Sequence, residues 1–366
     1  MRHLFARTAL PRNVARRPGH RRVRTYAAAG VDRRRTSRAL AALLANVGYR
    51  APATSGRPVS LPGHYAGLIR IGRETIAVTT DTVGTKSILA ETLGRWEEIG
   101  VDAVAVNVND LASVGARPAG LVDVISCRRA DPDVFEQIGR GIYRGLRESR
   151  CSLLGGETAI VPELVQGVDV GGTAIGFFPE GRRPVTGARI RRTDVLLGIP
   201  STGLHANGLT LARRIVGASK RRLRARRPGS SRSVGEELLT ASRIYVAASE
   251  ALADRSGTTG FAHISGGGVR NLLRLHPGVQ FVLDRWPRPF GLFEWLADTG
   301  GVSLEELYQT FNMGIGFVVA VRPSFEAEAL RRLWRAGYPD TLVVGHVAPG
   351  EGVTMPHFDL TYRSYS

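Results

Sequence analysis

The sequence predicts a two-domain protein of the α/β (α+β) class, and three observations support this. The 366-residue chain is long for one domain, strand-length apolar runs alternate with helical periodicities, and the periodicity lapses near residues 183–192. With 43% apolar and 22% charged residues, the composition suits a globular protein with a hydrophobic core. We expect a basic extension over residues 1–31, a first domain over 32–185 and a second over 186–366.

The first half begins with a predicted helix over residues 36–47 and then alternates strands with helices. Strands are predicted at 67–71 and 75–80, and a helix around 89–99. The run "VDAVAVNVND" follows as a buried apolar segment, and "AGLVDVISC" as a strand. Asp131 is a suitable N-cap, and Pro132 a suitable first residue, for the next helix. The segments "CSLLGGETA" and "VDVGGTAIGFF" are predicted to close this half as strands.

The second half repeats the alternation without an internal sequence repeat. The run "DVLLGIP" predicts a strand that leads into the turn "STGLHANG", and "SRIYVAASEALAD" predicts a helix. Strands are then expected at "VQFVLD", "GIGFVVAV" and "DTLVVGHV". Helices are expected at "SLEELYQTF" and "SFEAEALRRLWRAG".

The formal charge of +18 is concentrated in two short segments. Residues 1–31 and 213–232 hold 17 basic side chains and no acidic one, so the remaining chain carries a net charge of only +1. The charge therefore predicts solvated basic segments, not a specific nucleic-acid-binding fold, although nonspecific binding by the tail stays open. The arginine-rich tail also resembles an organelle transit peptide, and a start codon assigned too early explains it equally well.

Two further features bear on the location of the protein. No apolar run approaches the ~20 residues that a membrane helix needs. The only cysteines, Cys127 and Cys151, form neither a disulfide framework nor a metal-binding spacing. They predict buried thiols in a reducing cytoplasm.

Three carboxylates end or follow apolar runs that should be buried. Asp81 ends "IAVTTD", Asp110 ends "VAVNVND" and Glu157 follows "CSLLGG". Ligands of α/β proteins collect at strand ends, and carboxylates with the amides of Asn107 and Asn109 would form an oxygen-rich site that suits Mg²⁺. Each carboxylate alone is equally explained as a helix cap, so the prediction rests on all three together.

The stretch "DTVGTK" places Lys86, one of only two lysines in the chain, just after a predicted strand. It lacks the spacing of a Walker A loop, and no G-x-G-x-x-G fingerprint follows a strand. The glycine-rich turns at 171–176 and 266–271 are each explained by backbone geometry alone. Phosphate binding would therefore need backbone N–H groups, Lys86 and a metal together.

Two histidines lie in glycine-rich turns that a substrate could reach. His205 and Asn207 belong to "STGLHANG", and His263 belongs to "FAHISGGG". Either histidine could act as a general acid or base near neutral pH. A structural hydrogen-bonding role explains each of them equally well.

Seven segments in order resemble one enzyme family. "DTVGTK", "VDAVAVNVNDL", "SLLGGETA", "VDVGGTAIGFF", "STGLHANG", "AHISGGG" and "TFNMGIGFVV" resemble AIR synthetase, the phosphoribosylformylglycinamidine cyclo-ligase family of purine biosynthesis. The resemblance runs from about residue 29 to about residue 350. The wider superfamily includes thiamine-monophosphate kinase, selenophosphate synthetase and HypE.

The resemblance implies a fold and a reaction. The implied fold has two α/β domains, of which the N-terminal ones pair into a β-barrel-like sheet of a homodimer. The implied reaction uses ATP and Mg²⁺ to activate the formyl oxygen of formylglycinamidine ribonucleotide, after which the amidine nitrogen closes the imidazole ring. The products are aminoimidazole ribonucleotide, ADP and phosphate.

The resemblance also implies roles for individual residues. Asp81, Asp110 and Glu157 would bind metal, and His205, His263 and Lys86 would serve catalysis. The implied ATP and phosphate contacts are Thr85, Lys86, Asn109, Gly155 and Gly156. The implied substrate contacts are His205, Asn207, Gly266, Gly267 and Gly268.

The sequence departs from the family near its N-terminus, where Leu44 stands at the position of an expected lysine. This departure puts nucleotide contact by that segment in doubt. Two alternative functions stay open: another ATP-using superfamily enzyme such as thiamine-monophosphate kinase, and a nonenzymatic nucleotide- or nucleic-acid-binding protein.

Overall fold

Two β-sheets, each flanked by helices, organise the protein. The computed structural model describes residues 25–47, 52, 56–61, 63–217 and 219–365. Most of the predicted basic extension, residues 1–24, lies outside the described residues. Among those described, no helix is long and apolar enough to cross a membrane.

The first sheet contains six strands among the described residues, in the spatial order β1-β2-β3-β6-β4-β5. The strands are β1 (Arg57–Val59), β2 (Gly67–Ile71), β3 (Glu74–Thr82), β4 (Arg117–Cys127), β5 (Ser152–Ile160) and β6 (Val168–Phe177). Neighbours are antiparallel except β4 and β5, which are parallel. One face buries residues such as Ala77, Leu121 and Ala174, whereas the opposite face leaves its apolar side chains exposed.

The helices of this half are α1 (Arg33–Ala45), α2 (Ser87–Leu93), α3 (Glu97–Ala112) and α4 (Pro132–Ser149). Helix α4 begins as predicted, because Asp131 accepts a hydrogen bond from the backbone N–H of Asp133 and Pro132 is the first helical residue. Helices α3 and α4 approach very closely. A Cβ on Gly100 would lie 2.1 Å from the carbonyl oxygen of Ile138, so only glycine permits this contact.

Helix α3 corrects one sequence-based expectation. We expected Asp110 at the end of an apolar strand, but the run "VDAVAVNVND" is helical. Almost every residue of α3 is buried, and a helix that is buried on all sides shows no amphipathic periodicity. Asp110 therefore projects from a helix that packs against the sheet.

The second sheet contains seven strands among the described residues, in the order β13-β12-β9-β11-β7-β10-β8. They are β7 (Val195–Pro200), β8 (Thr258–His263), β9 (Gln280–Val282), β10 (Ile315–Val321), β11 (Leu342–Ala348), β12 (Gly352–Met355) and β13 (Leu360–Tyr362). Strand β10 is buried along its whole length. All pairs are antiparallel except β9 with β12.

The helices of the second half surround this sheet. They are α5 (Leu209–Val216), α6 (Lys220–Arg224), α7 (Val234–Leu239), α8 (Val246–Leu252), α9 (Gly291–Gly300), α10 (Leu304–Thr310) and α11 (Glu326–Arg335). The basic segment 213–232 forms the end of α5, helix α6 and the turn before α7. Helix α7 begins with a capping box between Ser233 and Glu236.

The segment before α1 docks onto the second half. Ala29 is buried, the backbone N–H of Tyr26 donates to Glu306 at 2.7 Å, and Arg214 donates to the carbonyl of Ala28 at 2.9 Å. Helix α1 itself has no buried residue. Leu40, Leu43 and Leu44, which lie at helical spacing in its sequence, are all exposed.

Candidate active site

Asp81, Asp110 and His263 lie together where the two halves of the protein meet. Asp81 is near the end of β3, Asp110 is on α3, and His263 ends β8. The Nδ1 atom of His263 lies 2.9 Å from Oδ1 of Asp110, and a carboxylate oxygen can only accept, so Nδ1 carries the proton and donates. The other ring nitrogen, Nε2, is thereby left to accept or deliver a proton.

The carboxyl group of Asp81 is perturbed by its surroundings. Although the residue is exposed, neighbouring protein atoms crowd its carboxyl group, and this desolvation, with the negative charge of Asp110, raises the pKa of Asp81 to about 6. A cation placed between the two carboxylates would relieve their repulsion. Asp81 and Asp110 are therefore suited to hold one.

Glu157 does not join this pair within one chain, which corrects the predicted three-carboxylate metal site. Across the sheet, Glu157 is aligned with Val124, Gly171 and Thr82 on the successive strands β4, β6 and β3. Asp81 directly precedes Thr82 on β3 and is aligned with Gly172 instead. Side chains alternate between the faces of a sheet, so Glu157 projects from the face opposite to Asp81 and lies three strand spacings away, about 14 Å. The described residues contain no group of three His, Cys, Asp or Glu side chains that could hold a metal.

Mg²⁺ nevertheless fits the residues present. This ion is commonly bound by one or two carboxylates, with substrate phosphates and waters as the other ligands. Asp81 and Asp110 supply such a pair, and Oδ1 of Asp110 accepts from His263 while its Oδ2 has no hydrogen-bond partner among the described residues.

Lys86 lies in the interior, so the prediction that it contacts phosphate is wrong for this structure. Its side chain is completely buried, and Nζ forms an ion pair with Oδ2 of Asp102 at 2.5 Å. Nζ also donates to the carbonyl of Thr240 at 2.7 Å, while Oδ1 of Asp102 accepts from the backbone N–H of Ser242 at 2.7 Å. The pair therefore fastens the segment between α7 and α8 to the first half.

Asn109 serves the same segment, in contrast to its predicted role at ATP. Its Oδ1 accepts from the backbone N–H of Tyr245 at 2.8 Å, and its Nδ2 donates to the carbonyl of Arg243 at 2.9 Å. Both halves of the amide are thus used, and the side chain is fully buried. Thr85, predicted as a phosphate contact, shares a hydrogen bond of 2.9 Å with Thr210 of α5.

His205 is close to His263 but is not arranged for proton transfer. Its Nε2 accepts from the backbone N–H groups of Thr202 at 3.2 Å and Arg243 at 3.4 Å, which assigns the proton to Nδ1. Burial, with the positive charges of nearby groups, holds the pKa of His205 well below 6.5. The ring is therefore neutral and accepts through Nε2, while its buried Nδ1 has no hydrogen-bond partner among the described residues. The expectation of a general acid or base at His205 is not supported.

The glycine-rich turn after β8 lies beside Asn207. A Cβ on Gly266 would be 2.8 Å from Oδ1 of Asn207, so these two predicted substrate contacts are neighbours. Gly268 has a φ of +56°, and a Cβ there would lie 2.0 Å from the carbonyl oxygen of Tyr308. Glycine is thus required at 268 by packing, whatever else the turn binds.

Gly155 and Gly156, predicted phosphate contacts, are exposed residues of strand β5. A Cβ on Gly156 would meet Oδ1 of Asp123 at 2.2 Å, so glycine makes room for that carboxylate. Gly172 of β6 pairs with Asp81 of β3 on one side and with Asp123 of β4 on the other. Asp81 and Asp123 therefore share one face of the sheet. Sequence reasoning missed Asp123, although it interrupts the apolar run "GLVDVIS" on the buried face.

Two family models match most of the chain. The model described as AIR synthase related protein, N-terminal domain, matches residues 63–178, and the model described as AIR synthase related protein, C-terminal domain, matches residues 191–357. The phosphoribosylformylglycinamidine cyclo-ligase of Thermococcus gammatolerans is 41% identical over 92% of this chain and 99% of that protein. The enzyme of that name from Methanothermobacter thermautotrophicus is 41% identical over 76% of this chain and 82% of its own.

Solved structures share the fold at much lower identity. A HypE–HypF complex superposes with a TM-score of 0.63 at 18% identity, covering 89% of this chain and 99% of that one. A thiamine monophosphate kinase from Aquifex aeolicus superposes with a TM-score of 0.59 at 14% identity, covering 90% and 99%. At this low identity, the similarities show a shared fold and nothing about activity.

Proposed function

Because the chain belongs to the phosphoribosylformylglycinamidine cyclo-ligase family, we propose that it closes the imidazole ring of a purine precursor at the expense of ATP. Its relatives match it over nearly their whole length, so the similarity covers both halves. The AIR-synthetase-like fold expected from the sequence is confirmed by the same matches. The substrate is formylglycinamidine ribonucleotide, and the products are aminoimidazole ribonucleotide, ADP and phosphate.

The proposed chemistry needs an oxygen converted into a leaving group and a proton removed from nitrogen. The formyl oxygen takes the γ-phosphoryl group of ATP, the amidine nitrogen forms a bond to the formyl carbon, and phosphate departs as the ring closes. A bound Mg²⁺ would neutralise the negative charge of the triphosphate. Asp81 and Asp110 would hold this ion.

The geometry of His263 and Asp110 is the observation that supports the site. Asp110 orients the imidazole ring and fixes its tautomer, as a carboxylate does for a catalytic histidine. His263 then accepts the proton that the attacking nitrogen loses. The side chain is almost fully buried, so bulk water does not compete for this proton.

We also propose that the protein is a homodimer that pairs through the exposed face of the first sheet. Five apolar side chains there are between 36% and 44% exposed: Val78, Val122, Val124, Ile175 and Phe177. They lie on the neighbouring strands β3, β6 and β4, where Val78 pairs directly with Ile175, and clustered exposed apolar side chains mark association surfaces. Glu157 lies on this same face, so pairing would bring it into the interface.

The dimer is tested by the molar mass in solution. Light scattering on the wild type should give twice the chain mass of 39.5 kDa, and Val124→Arg should give the single-chain mass. Trp334→Arg is the matched control, since Trp334 is 66% exposed on α11, outside this sheet. A wild type that is monomeric at micromolar concentration would contradict the proposal.

The two cysteines agree with a cytoplasmic location, which we include in the proposal. Cys127 and Cys151 are both buried free thiols. Such thiols persist in a reducing compartment.

The catalytic proposal is tested by assaying two substrates in parallel. Purified full-length protein with ATP and Mg²⁺ should convert formylglycinamidine ribonucleotide into aminoimidazole ribonucleotide, with one ADP per product. Thiamine monophosphate, the substrate implied by the alternative kinase, should yield no ADP above background. Turnover of thiamine monophosphate without ring closure would replace the proposed function by the kinase.

A further inference from the structure

We propose that Arg33, Arg270 and Arg274 form the site that binds the phosphate monoester of the ribonucleotide substrate. The inference rests on the proposed function and assigns the substrate's phosphate to particular side chains. Arg33 begins helix α1, whereas Arg270 and Arg274 belong to the 3₁₀ turn that follows the glycine-rich loop. The site would thus be completed by the N-terminal segment of the chain.

Two of the three guanidinium groups contact the turn Gly266–Gly268, and the third, that of Arg274, donates to the carbonyl of Gly63. Arg33 Nη2 donates to the carbonyl of Gly266, and Arg270 Nε lies 3.5 Å from the carbonyl oxygen of Gly267. Arg270 and Arg274 both lie beside the ring of Tyr365. The centre of this ring is 4.3 Å from Cζ of Arg274 and 5.9 Å from Cζ of Arg270.

Among the described residues, no carboxylate pairs directly with this cluster. None of the three arginines forms an ion pair of 4.0 Å or less with an acidic side chain of the described residues. The acid that interacts with Arg33 is Glu306, and its Oε1 already accepts from the backbone of Tyr26 and from Thr310.

Two donors of the cluster also lack acceptors. Nη1 of Arg33 and Nε of Arg274 are shielded from solvent and have no hydrogen-bond partner among the residues that the structure describes. A shielded donor without an acceptor is unfavourable, so both atoms favour a ligand that supplies oxygen. Three positive charges and two open donors specify an anion with several acceptor oxygens.

A phosphate monoester fits this cluster better than the triphosphate of ATP. Guanidinium groups match the geometry of phosphate oxygens and neutralise them without a metal. A metal-bound triphosphate instead needs carboxylates for its cation, and these lie at Asp81 and Asp110. The arginine cluster therefore binds the phosphate of the ribonucleotide, and the carboxylate pair binds the cation of the ATP triphosphate.

The position of the cluster suits a single substrate that spans both regions. Arg274 is close enough to Asp110 for their charges to interact, so the cluster adjoins the reaction site. Asn207 lies against Gly266 on the same side. A ribonucleotide held by its phosphate at the arginines would extend its reactive end toward Asp110 and His263.

The test compares Arg33→Met and Arg274→Met with the wild type as full-length proteins. We expect each variant to raise KM for formylglycinamidine ribonucleotide by about 10- to 100-fold while KM for ATP changes less than twofold, because one charged hydrogen-bond partner of the phosphate is lost. Arg331→Met is the matched control, since Arg331 is 60% exposed and pairs with Glu328 on the same helix. An unchanged KM for the ribonucleotide would overturn the proposal, and a raised KM for ATP alone would assign the cluster to the triphosphate.

A binding measurement separates this proposal from the proposed function. Ribose 5-phosphate carries the monoester without a base or a triphosphate, and it should raise the melting temperature of the wild type and of Arg331→Met in a saturable way. Arg33→Met and Arg274→Met should show no such shift. If the wild type binds ribose 5-phosphate but closes no ring, the phosphate site stands and the cyclo-ligase function fails. If the wild type closes the ring and ribose 5-phosphate shifts all variants equally, the phosphate site fails alone.

Discussion

Replacing Lys86 by methionine should destabilise the protein without directly weakening its affinity for ATP. Methionine has a similar length but no charge, so the substitution leaves the carboxylate of Asp102 buried without its cation. Both side chains are completely shielded from water in the structure. The interaction is therefore unscreened by solvent, unlike an ion pair at the surface.

The expected magnitude follows from that burial. Removing one partner of a buried ion pair costs about 3–5 kcal/mol, because an uncompensated charge remains in the interior. With an unfolding entropy of about 2.1 cal/mol/K per residue, the whole chain would melt roughly 4–6 °C lower. The double variant Lys86→Met/Asp102→Asn should recover part of this loss, since asparagine is neutral and can still accept from the backbone of Ser242.

Thermal and urea unfolding of the three proteins would measure this loss, with steady-state kinetics in parallel. Lys220→Met is the control, because Lys220 is the only other lysine and is exposed. We expect KM for ATP to stay within about twofold in Lys86→Met at temperatures where the variant is folded. A variant that melts like the wild type but has a KM for ATP more than tenfold higher would contradict the structural role of the ion pair and restore Lys86 as a phosphate contact.

Three further predictions follow from local geometry. Between pH 7 and pH 5, His205→Asn should lose less free energy of unfolding than the wild type. In the wild type, folded His205 stays neutral while the same residue in the unfolded chain takes up a proton below about pH 6.5, which favours unfolding. Equal losses of unfolding free energy in the two proteins would contradict this. Gly268→Ala should cost about 1–3 kcal/mol more than Gly94→Ala, since both have positive φ but only at 268 would the Cβ meet a carbonyl oxygen, and similar melting temperatures would argue against the packing. Chelation of divalent cations should abolish ADP formation and added Mg²⁺ should restore it; activity that persists in the chelator would remove the proposed role of Asp81 and Asp110.

The alternation of elements could be read from the sequence because most strands and helices carry their own periodicity. Helix α4 shows this well, with a capping aspartate, a proline at the first position and apolar residues at helical spacing. Helix α3 could not be identified in this way. It is buried on all sides, and a short apolar run looks the same in a buried strand and in a buried helix.

The candidate site was only partly accessible to sequence reasoning, because partnerships between distant residues decide the roles of polar side chains. Lys86 and Asn109 occur in motifs that suggest ligand contact, yet their partners at Thr240 and Arg243 are more than 130 positions away. The pairing of His263 with Asp110 is equally remote and could not be predicted from spacing. The register of β5 against β4 places Glu157 on the face of the sheet opposite to Asp81, and this register could not be predicted from the sequence.

The most direct test of the account is ring closure by the wild type beside His263→Gln and Asp110→Asn, with aminoimidazole ribonucleotide and ADP both quantified. The wild type should form the two products in equal amounts. Each substitution should lower kcat by about 10²-fold or more, since general-base catalysis contributes about 10²–10⁴-fold, while the melting temperature stays within a few degrees. A wild type that forms no aminoimidazole ribonucleotide, or a His263→Gln variant with undiminished kcat, would contradict it.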